Sequence, residues 1–417
     1  MRYSKSVLVF FVLMLLASFT VTATAETKLT WYFCCAQKER ADMFNAWARE
    51  FEQLNPGVVV EPLYPVTGGE VYYDKIKVAV AGDMAPDVMW AGNGLWGMAD
   101  LLMPIDDLYN SDANIHEIIP AIINAHRWNG KLIAAPFGVN THAFYYNRDL
   151  LSTAGVAMPR DWTWDQAIAL TQKIQLDADG NGIPERFGLA FSETAHALMY
   201  GGNVYSDDFR KVLLDNPVTT AGIQMTSDLI TNKFNNYYSI SNPVALTGFY
   251  GGTLGMISKG VFDIPTMKKN ALFDWDVQMF PKFVMNGKEY RTSYFSQETW
   301  AIYKDTKIPQ LVKKFLSFIM QKEHMGAMAA GGMVIPTQPS VATRYFLNTN
   351  QPANIRAFTD TLNWYKNSDR QNPADLRIDA FATWKAIISG TTPAGTGVPE
   401  LTRQMQVRLD EYWAARQ

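Results

Sequence analysis

Residues 82–108 read G-D-M-A-P-D-V-M-W-A-G-N-G-L-W-G-M-A-D-L-L-M-P-I-D-D-L. Pro86 fixes its own φ and keeps Ala85 out of the helical region, so A-P-D is a turn. Val88, Met89 and Trp90 then form the short apolar run of a buried parallel strand. Gly92, Asn93 and Gly94 end that strand, and Leu95, Met98, Leu101 and Leu102 follow at helical spacing. A buried strand that opens through a glycine turn into a helix is where open α/β sheets bind ligands. Gly92 to Gly97 also match G-x-G-x-x-G, but a dinucleotide site needs a full βαβ unit and an acidic residue after a second strand. Asp112 has the right distance, yet it stands in Y-N-S-D-A-N, read as a loop with no apolar run before it. The helix is also cut short at Pro104. The turn therefore reads as the lining of a cleft rather than a phosphate cradle.

The flanking segments continue the pattern. Lys28 to Phe33 is a strand; Phe44, Trp47, Phe51 and Leu54 make one apolar helical stripe; and Asn55-Pro56-Gly57 stops it. Val58 to Val60 resume as a strand, and Tyr73, Ile76 and Val80 mark a second helix. This is β-α-β-α-β, an α/β class with a parallel sheet. Further on, I-I-P-A-I-I-N-A-H is helical and Asn129-Gly130 is a hairpin turn. A long extended run carrying Pro136 and Gly138 suits a segment crossing between lobes. Thr163-Trp164-Asp165-Gln166 is a capping box. A strand and helix start at 252–265, a strand at 274–281, and one long helix from Lys307 to Ala330 complete the second half.

Composition excludes as much as it suggests. The 417 residues suffice for two domains, the net charge is −3, and no basic patch asks for nucleic acid. Residues 1–25 read as a secretory signal: Arg2 and Lys5, an apolar stretch from Val7 to Phe19, and Ala23-Thr24-Ala25 before the cut. That stretch is too short to span a bilayer, and no cysteine follows it for lipid attachment. A soluble, exported protein of a two-membrane cell is expected. Cys34 and Cys35 are the only cysteines. They stand as two thiols packed at a strand end, or as a vicinal disulfide closing a strained ring.

Seven segments occur in an order that resembles one family: F-E-Q-L-N-P-G with V-V-V after it, residues 74–90, residues 128–151, W-T-W-D-Q, G-M-I-S-K-G-V-F-D-I-P, W-A-I-Y-K-D-T-K, and G-G-M-V-I-P-T-Q-P-S-V-A. Together they resemble the extracellular solute-binding proteins of family 1, the sugar receptors of ABC importers that include maltose-binding protein. The resemblance implies a periplasmic-binding-protein fold of two α/β lobes, with a ligand cleft between them and several hinge crossings. It implies crossings near 136–140, 291–296 and 344–350. The lobes would then be residues 26–138 with 291–344, and 139–290 with 345–417. It further implies a periplasmic monomer without cofactor, whose partners are a carbohydrate and the transmembrane subunits of a permease. The chain departs from the family pattern at Cys34-Cys35-Ala36, at Val261-Phe262 where relatives have Ser-Trp, and at Ser296 to Thr299 where relatives have a glycine turn.

A sugar offers apolar CH faces and hydroxyls, so its site needs aromatic platforms and a few fixed polar groups. Trp90, Trp96, Phe137, Tyr145, Tyr205, Tyr250 and Phe262 are the aromatic candidates, at turns or strand ends where the resemblance places the cleft. Asn93, Asn140, Gln297, Glu298 and Gln37 are the polar ones, since amides both donate and accept. Each also fits a core or turn role. A phosphate ligand would want cations, of which Lys38 and Lys259 are the nearby ones; a polyamine would want several carboxylates. Residues 177–185, D-A-D-G-N-G-I-P-E, begin like a calcium loop but lack the bidentate Glu at position 12, so no metal is expected. For catalysis, the five histidines are isolated and G-G-T-L-G has no partner for its threonine. A glycosidase pair could be drawn only from Glu298 and Asp263. No enzyme is expected.

Overall fold

The computed structural model describes residues 26–34, 38–64, 69–191, 200–234, 248–292, 294–364, 366, 372–374 and 376–416. The segment read as a signal, 1–25, lies outside them, as do Cys35 and Gln37.

Strand β1 (Thr27–Tyr32) buries Leu29 and Trp31. Helix α1 (Lys38–Leu54) lays Phe44, Trp47 and Phe51 against it. Gly57, at φ 88°, turns the chain into β2 (Val58–Leu63). After α2 (Gly69–Ala81), β3 (Val88–Trp90) pairs in parallel with β1, as β2 does on the other side. The β-α-β-α-β reading is thus realised as the order β2-β1-β3. Trp31 is the hub of this half, with the rings of Phe33, Phe44, Trp300 and Phe315 all within 5.3 Å.

Two local expectations need correction. The segment after β3 forms two 3₁₀ turns, Gly92–Gly94 and Trp96–Leu101, and not an α-helix. Both of its ends are tethered to one neighbouring strand, Ala91 N–H to the Thr299 carbonyl (3.0 Å) and Met103 N–H to that of Ile302 (2.8 Å). A 3₁₀ path rises further per residue than an α-helix and covers that distance. The region read as a loop after Leu108 is two short helices, Asp106–Ser111 and Ala113–His116, with Asp112 between them capping the second.

The Asn129-Gly130 hairpin forms as expected, β4 (Arg127–Trp128) against β5 (Lys131–Leu132), with positive φ at both turn residues. Strand β6 (Ala135–Asn147) follows, nearly all buried. Helix α3 (Trp164–Ile174) starts at the Thr163–Gln166 capping box. Strand β7 (Phe187–Ala190), helix α4 (Pro217–Thr231), and strands β8 (Leu254–Gly260) and β9 (Trp275–Gln278) build the second half. A small hairpin, β10 (Phe283–Met285) with β11 (Lys288–Tyr290), leads to β12 (Phe295–Ile302).

The helix expected over 307–330 is two, α5 (Pro309–Ile319) and α6 (Lys322–Ala330). The break has one neighbouring and one more distant contact. The His324 ring bonds the Phe318 carbonyl at 2.7 Å, and Gln338 Nε2 donates to the Met320 carbonyl at 3.0 Å. Strand β13 (Ile335–Pro336) and the long α7 (Ala394–Ala414) complete the elements used below.

The main sheet runs β2-β1-β3-β12-β6-β8-β7, with β13 and β9 also on β6. Residues 135–141 of β6 pair with β12, and residues 142–147 pair with β8 and β9. One strand therefore belongs to both halves. At Gly138 an added Cβ would lie 1.9 Å from Val334 Cγ2 and 3.2 Å from the Ile335 carbonyl oxygen. Gly138→Ala is expected to cost about 1–3 kcal/mol by overpacking, lowering the urea midpoint. An unchanged midpoint would contradict this close approach.

Candidate functional site

Trp90 ends β3 half-buried, its ring stacked on Tyr73 at 5.7 Å and 11°. The two glycines after it make room for those rings. A Cβ on Gly92, at φ 45°, would lie 2.3 Å from Trp90, and one on Gly94 would lie 2.5 Å from Tyr73. The G-x-G spacing is thus explained by aromatic packing. The dinucleotide reading gains nothing: the following segment is 3₁₀ and Asp112 is occupied as a cap.

Trp90 Nε1 donates to Glu298 Oε2 at 2.8 Å, and Asn140 Nδ2 donates to Oε1 at 2.5 Å. Arg40 Nη1 lies 3.9 Å from the same carboxylate. Glu298 is 5% exposed, and that burial pushes its carboxyl above the usual range, against the Arg40 charge and the two hydrogen bonds. Glu298 sits where the β12–β6 register shifts, and a bulge of this kind re-aims a side chain. Asn93 Nδ2 donates to the Tyr294 hydroxyl (3.0 Å), while its Oδ1 accepts from Gln297 N–H (3.3 Å). Trp90, Asn93, Asn140, Gln297 and Glu298 are therefore brought to one place. Among the described residues, Asn140 Oδ1 and Gln297 Oε1 are buried acceptors with no hydrogen-bond partner. The buried His126 ring lies beside Gln297, but its Nδ1 bonds the Ile122 carbonyl at 2.6 Å and so carries the proton. Burial pulls that ring down to about 4, so at neutral pH its Nε2 is an acceptor and leaves the Gln297 oxygen unmet.

The other candidates divide. Phe137, Tyr145 and Tyr205 are core residues, at most 1% exposed. Phe137 stacks on Trp300 at 4.8 Å, and the Tyr145 hydroxyl donates to the Gly260 carbonyl at 2.9 Å. Tyr205 packs in the cluster under α7. Each was expected at the cleft because it lies near a turn or strand end. Phe137 and Tyr145 lie in a strand buried on both faces, where that position does not decide which way a ring points. Tyr250 and Phe262 are half-buried beside Asp263, and burial together with the Asp263 charge pushes the Tyr250 phenol up to about 12. Asp263 is itself 8% exposed, with its carboxyl raised by burial against the Lys259 charge. Of the expected cations, Lys38 is exposed and paired with Asp42. The structure adds Arg40, Arg210 and Arg416 to that set.

Next to Gln297 lies a cavity of about 760 Å³. Trp96 and Trp128 line it from the β3 half, and Phe209 and Trp413 from the other. Trp96 lies 5.7 Å from Phe209, and Trp128 lies 6.4 Å from Trp413 with the planes 10° apart. The Arg210 guanidinium stands 3.9 Å over Trp413. Sequence reading missed Trp128, Phe209 and Trp413. The one available signal was Trp128 directly before the Asn-Gly turn.

Cys34 is disulfide-bonded, which overturns the two-thiol reading; Cys35 is the chain's other cysteine. Asp177, Asp179 and Glu185 bring carboxylate oxygens within 4.8 Å of one another at the surface. Those carboxylates accept the backbone N–H groups of Gly182, Asn181 and Ala178, which is the hydrogen bonding of a turn.

A model of the bacterial extracellular solute-binding protein family matches residues 37–326. A maltotriose-binding protein of Pyrococcus abyssi is 28% identical over 274 residues, 61% of this chain and 54% of that protein. The chain thus spans about half the length of that relative. A putative ABC transporter periplasmic-binding protein of Escherichia coli is 22% identical over 334 residues, 74% of this chain and 72% of that one. Among solved structures, the chain is similar to an ABC substrate-binding protein of Listeria monocytogenes in complex with cycloalternan. The TM-score is 0.78 at 18% identity, over 93% of this chain and 99% of that one. It is also similar to a maltose/maltodextrin-binding domain of Bdellovibrio bacteriovorus bound to maltotriose, with TM-score 0.74 at 16% identity over 93% and 100%. These likenesses carry the fold, two α/β lobes.

Burial dominates at Glu298, so the folded protein holds that proton more tightly than the unfolded chain does. The stability it contributes is full below the unfolded carboxyl range and is lost as pH rises through the folded value. Glu298→Gln keeps the shape without the charge. In thermal melts from about pH 4 to pH 8, the variant should gain on the wild type as pH rises. A constant or shrinking difference would contradict an upward shift at Glu298.

Proposed function

This chain belongs to the bacterial extracellular solute-binding proteins, and we propose that it is the receptor of an ABC importer that captures an oligosaccharide between its lobes and delivers it to the membrane permease. The observation that carries the reading is the buried acceptor Asn140 Oδ1, without a partner among the described residues, beside the half-buried Trp90. A buried acceptor left unsatisfied costs about 1–3 kcal/mol, and a ligand hydroxyl removes that cost. An indole face beside it suits the CH side of a sugar ring. The relatives point the same way, one named for maltotriose and two solved structures holding cycloalternan and maltotriose.

In this reading Trp90, Asn93, Trp96, Gln297 and Glu298 offer contacts from the lobe of residues 26–138 and 291–344, and Asn140 from the crossing strand just inside the other lobe. Tyr250 and Phe262 offer them from the lobe of residues 139–290 and 345–417. Contacts to both sides exist together only when the lobes close, so the ligand draws the equilibrium to the closed form. Members of the family are binding proteins, and this receptor leaves its ligand unchanged. Both oxygens of Glu298 are engaged by Asn140 and Trp90, which supports a binding role over a glycosidase pair with Asp263. The protein is exported; cleavage after Ala25, release as a monomer into the periplasm and docking on permease subunits complete the proposal. A polyol phosphate is the second reading, favoured by Arg40 beside the Glu298 carboxylate.

Intrinsic tryptophan fluorescence, titrated with malto- and manno-oligosaccharides, glycerol phosphate and spermidine, tests this. The expected result is a saturable shift with a saccharide that is recovered intact, weakened about tenfold or more by Trp90→Ala. Saturation with the phosphate or the amine alone would replace the ligand, and cleaved sugar would end the receptor reading.

A further inference from the structure

The last helix, α7, is anchored in one half of the molecule and ends against the other. Leu401, Met405 and Leu409 on its buried face pack with Ile223 and Ile230 of α4, which fixes it to the second half. Its last turn reaches across. Trp413 stacks on Trp128 of the β4–β5 hairpin at 6.4 Å, with the planes 10° apart. Beside it Phe209 lies 5.7 Å from Trp96, in the second 3₁₀ turn after β3. Two pairs of rings therefore join the halves, and they are contacts of protein with protein.

The two rings on the α7 side form one body. Trp413 Nε1 donates to the Phe209 carbonyl at 2.8 Å. Gln406 of α7 donates through Nε2 to the Arg210 carbonyl (2.9 Å), and its Oε1 accepts the Val212 N–H (2.8 Å). The turn at 206–211 is tied within itself as well, by Phe209 N–H to the Ser206 carbonyl (2.9 Å) and Lys211 N–H to Ser206 Oγ (2.9 Å). These ties hold Phe209 at a φ of 53°, a region that bulky side chains rarely adopt. Such strain persists only where the surroundings over-determine it, and it gathers at clamps and switches.

The pairs are also able to part. Trp128, Phe209 and Trp413 are half-buried rather than sealed in a core, and a cavity of about 760 Å³ opens beside them. A small interface of this kind leaves two lobes free to move, while the ring pairs attract beyond the area they bury. Strand β6 belongs to both halves, so parting means rotation about that strand, and the rings stay near enough to meet again.

We infer that the end of α7 and the turn at 206–211 are a latch, which draws the two halves together before any ligand arrives. The latch holds part of the ligand-free population closed, and a ligand completes the closure. When the binding-competent form is only partly populated, the apparent Kd of every ligand rises by that same fraction. The latch thus scales affinity without choosing among ligands, and the inference stands whatever the ligand is.

Small-angle X-ray scattering of the ligand-free protein tests it, on the wild type, Trp128→Ala, Phe209→Gly and the double variant. Glycine removes the ring while suiting the positive φ, and Phe209→Asn replaces it if the glycine variant no longer melts cooperatively. Each single variant should show a larger radius of gyration than the wild type, and the double variant should exceed both. Trp128→Phe, which keeps a ring, should stay near the wild type. Equal radii throughout, or a Trp128→Phe as expanded as Trp128→Ala, would overturn the latch. In calorimetric titrations with maltose and maltotriose, each single variant should weaken both by one shared factor, roughly two- to tenfold. A loss that differs between the two sugars would make these rings ligand contacts and overturn the latch. If neither sugar binds, the carbohydrate reading falls and the scattering alone decides the latch.

Discussion

The double pairing of β6 is the constraint from which the rest follows. Its first residues bond to β12 and its last to β8 and β9, so a single backbone sets the relation of the two lobes. This strand also carries Asn140 to the Glu298 carboxylate. Gly138 lets β13 approach from the other side, and the Pro136 carbonyl accepts the Thr337 hydroxyl at 2.6 Å. Ligand contacts placed along such a strand are held by hydrogen-bonded sheet rather than by loops.

Around that strand the site combines two kinds of chemistry with different costs. Glu298 is a buried carboxyl whose desolvation outweighs the opposing contacts of Trp90, Asn140 and the Arg40 charge. Asn140 and Gln297 are amides with one end engaged or enclosed and one oxygen unmet. The first arrangement orients Trp90; the second leaves a demand that a hydroxyl-bearing ligand can meet. Aromatic surface from both lobes borders the same place, which suits a ligand with alternating apolar and polar faces.

Much of this was legible in the sequence where the signal is local. The Asn129-Gly130 hairpin, the Thr163–Gln166 cap and the turn after Trp90 each rest on residues whose backbone preferences act within a few positions. The polar cluster was legible as a set of candidates because it sits on turn and strand-end residues. What failed depends on distant partners. The break at Met320–Gln321 is held in part by Gln338, and the 3₁₀ path after β3 by tethers to β12. Phe137 and Tyr145 resist assignment because a strand covered on both faces loses the alternation that tells inside from outside. Trp128, Phe209 and Trp413 meet across more than 200 residues in the last pair, and no spacing reveals that.

The central claim is that one sugar touches both lobes and closes them. Hydrogen–deuterium exchange, with and without a saturating oligosaccharide, tests it most directly. The account predicts slowed exchange in residues 90–94 and 296–298 together with residues 203–210 and 260–263. Protection confined to one lobe, or none at saturation, would contradict capture between the lobes.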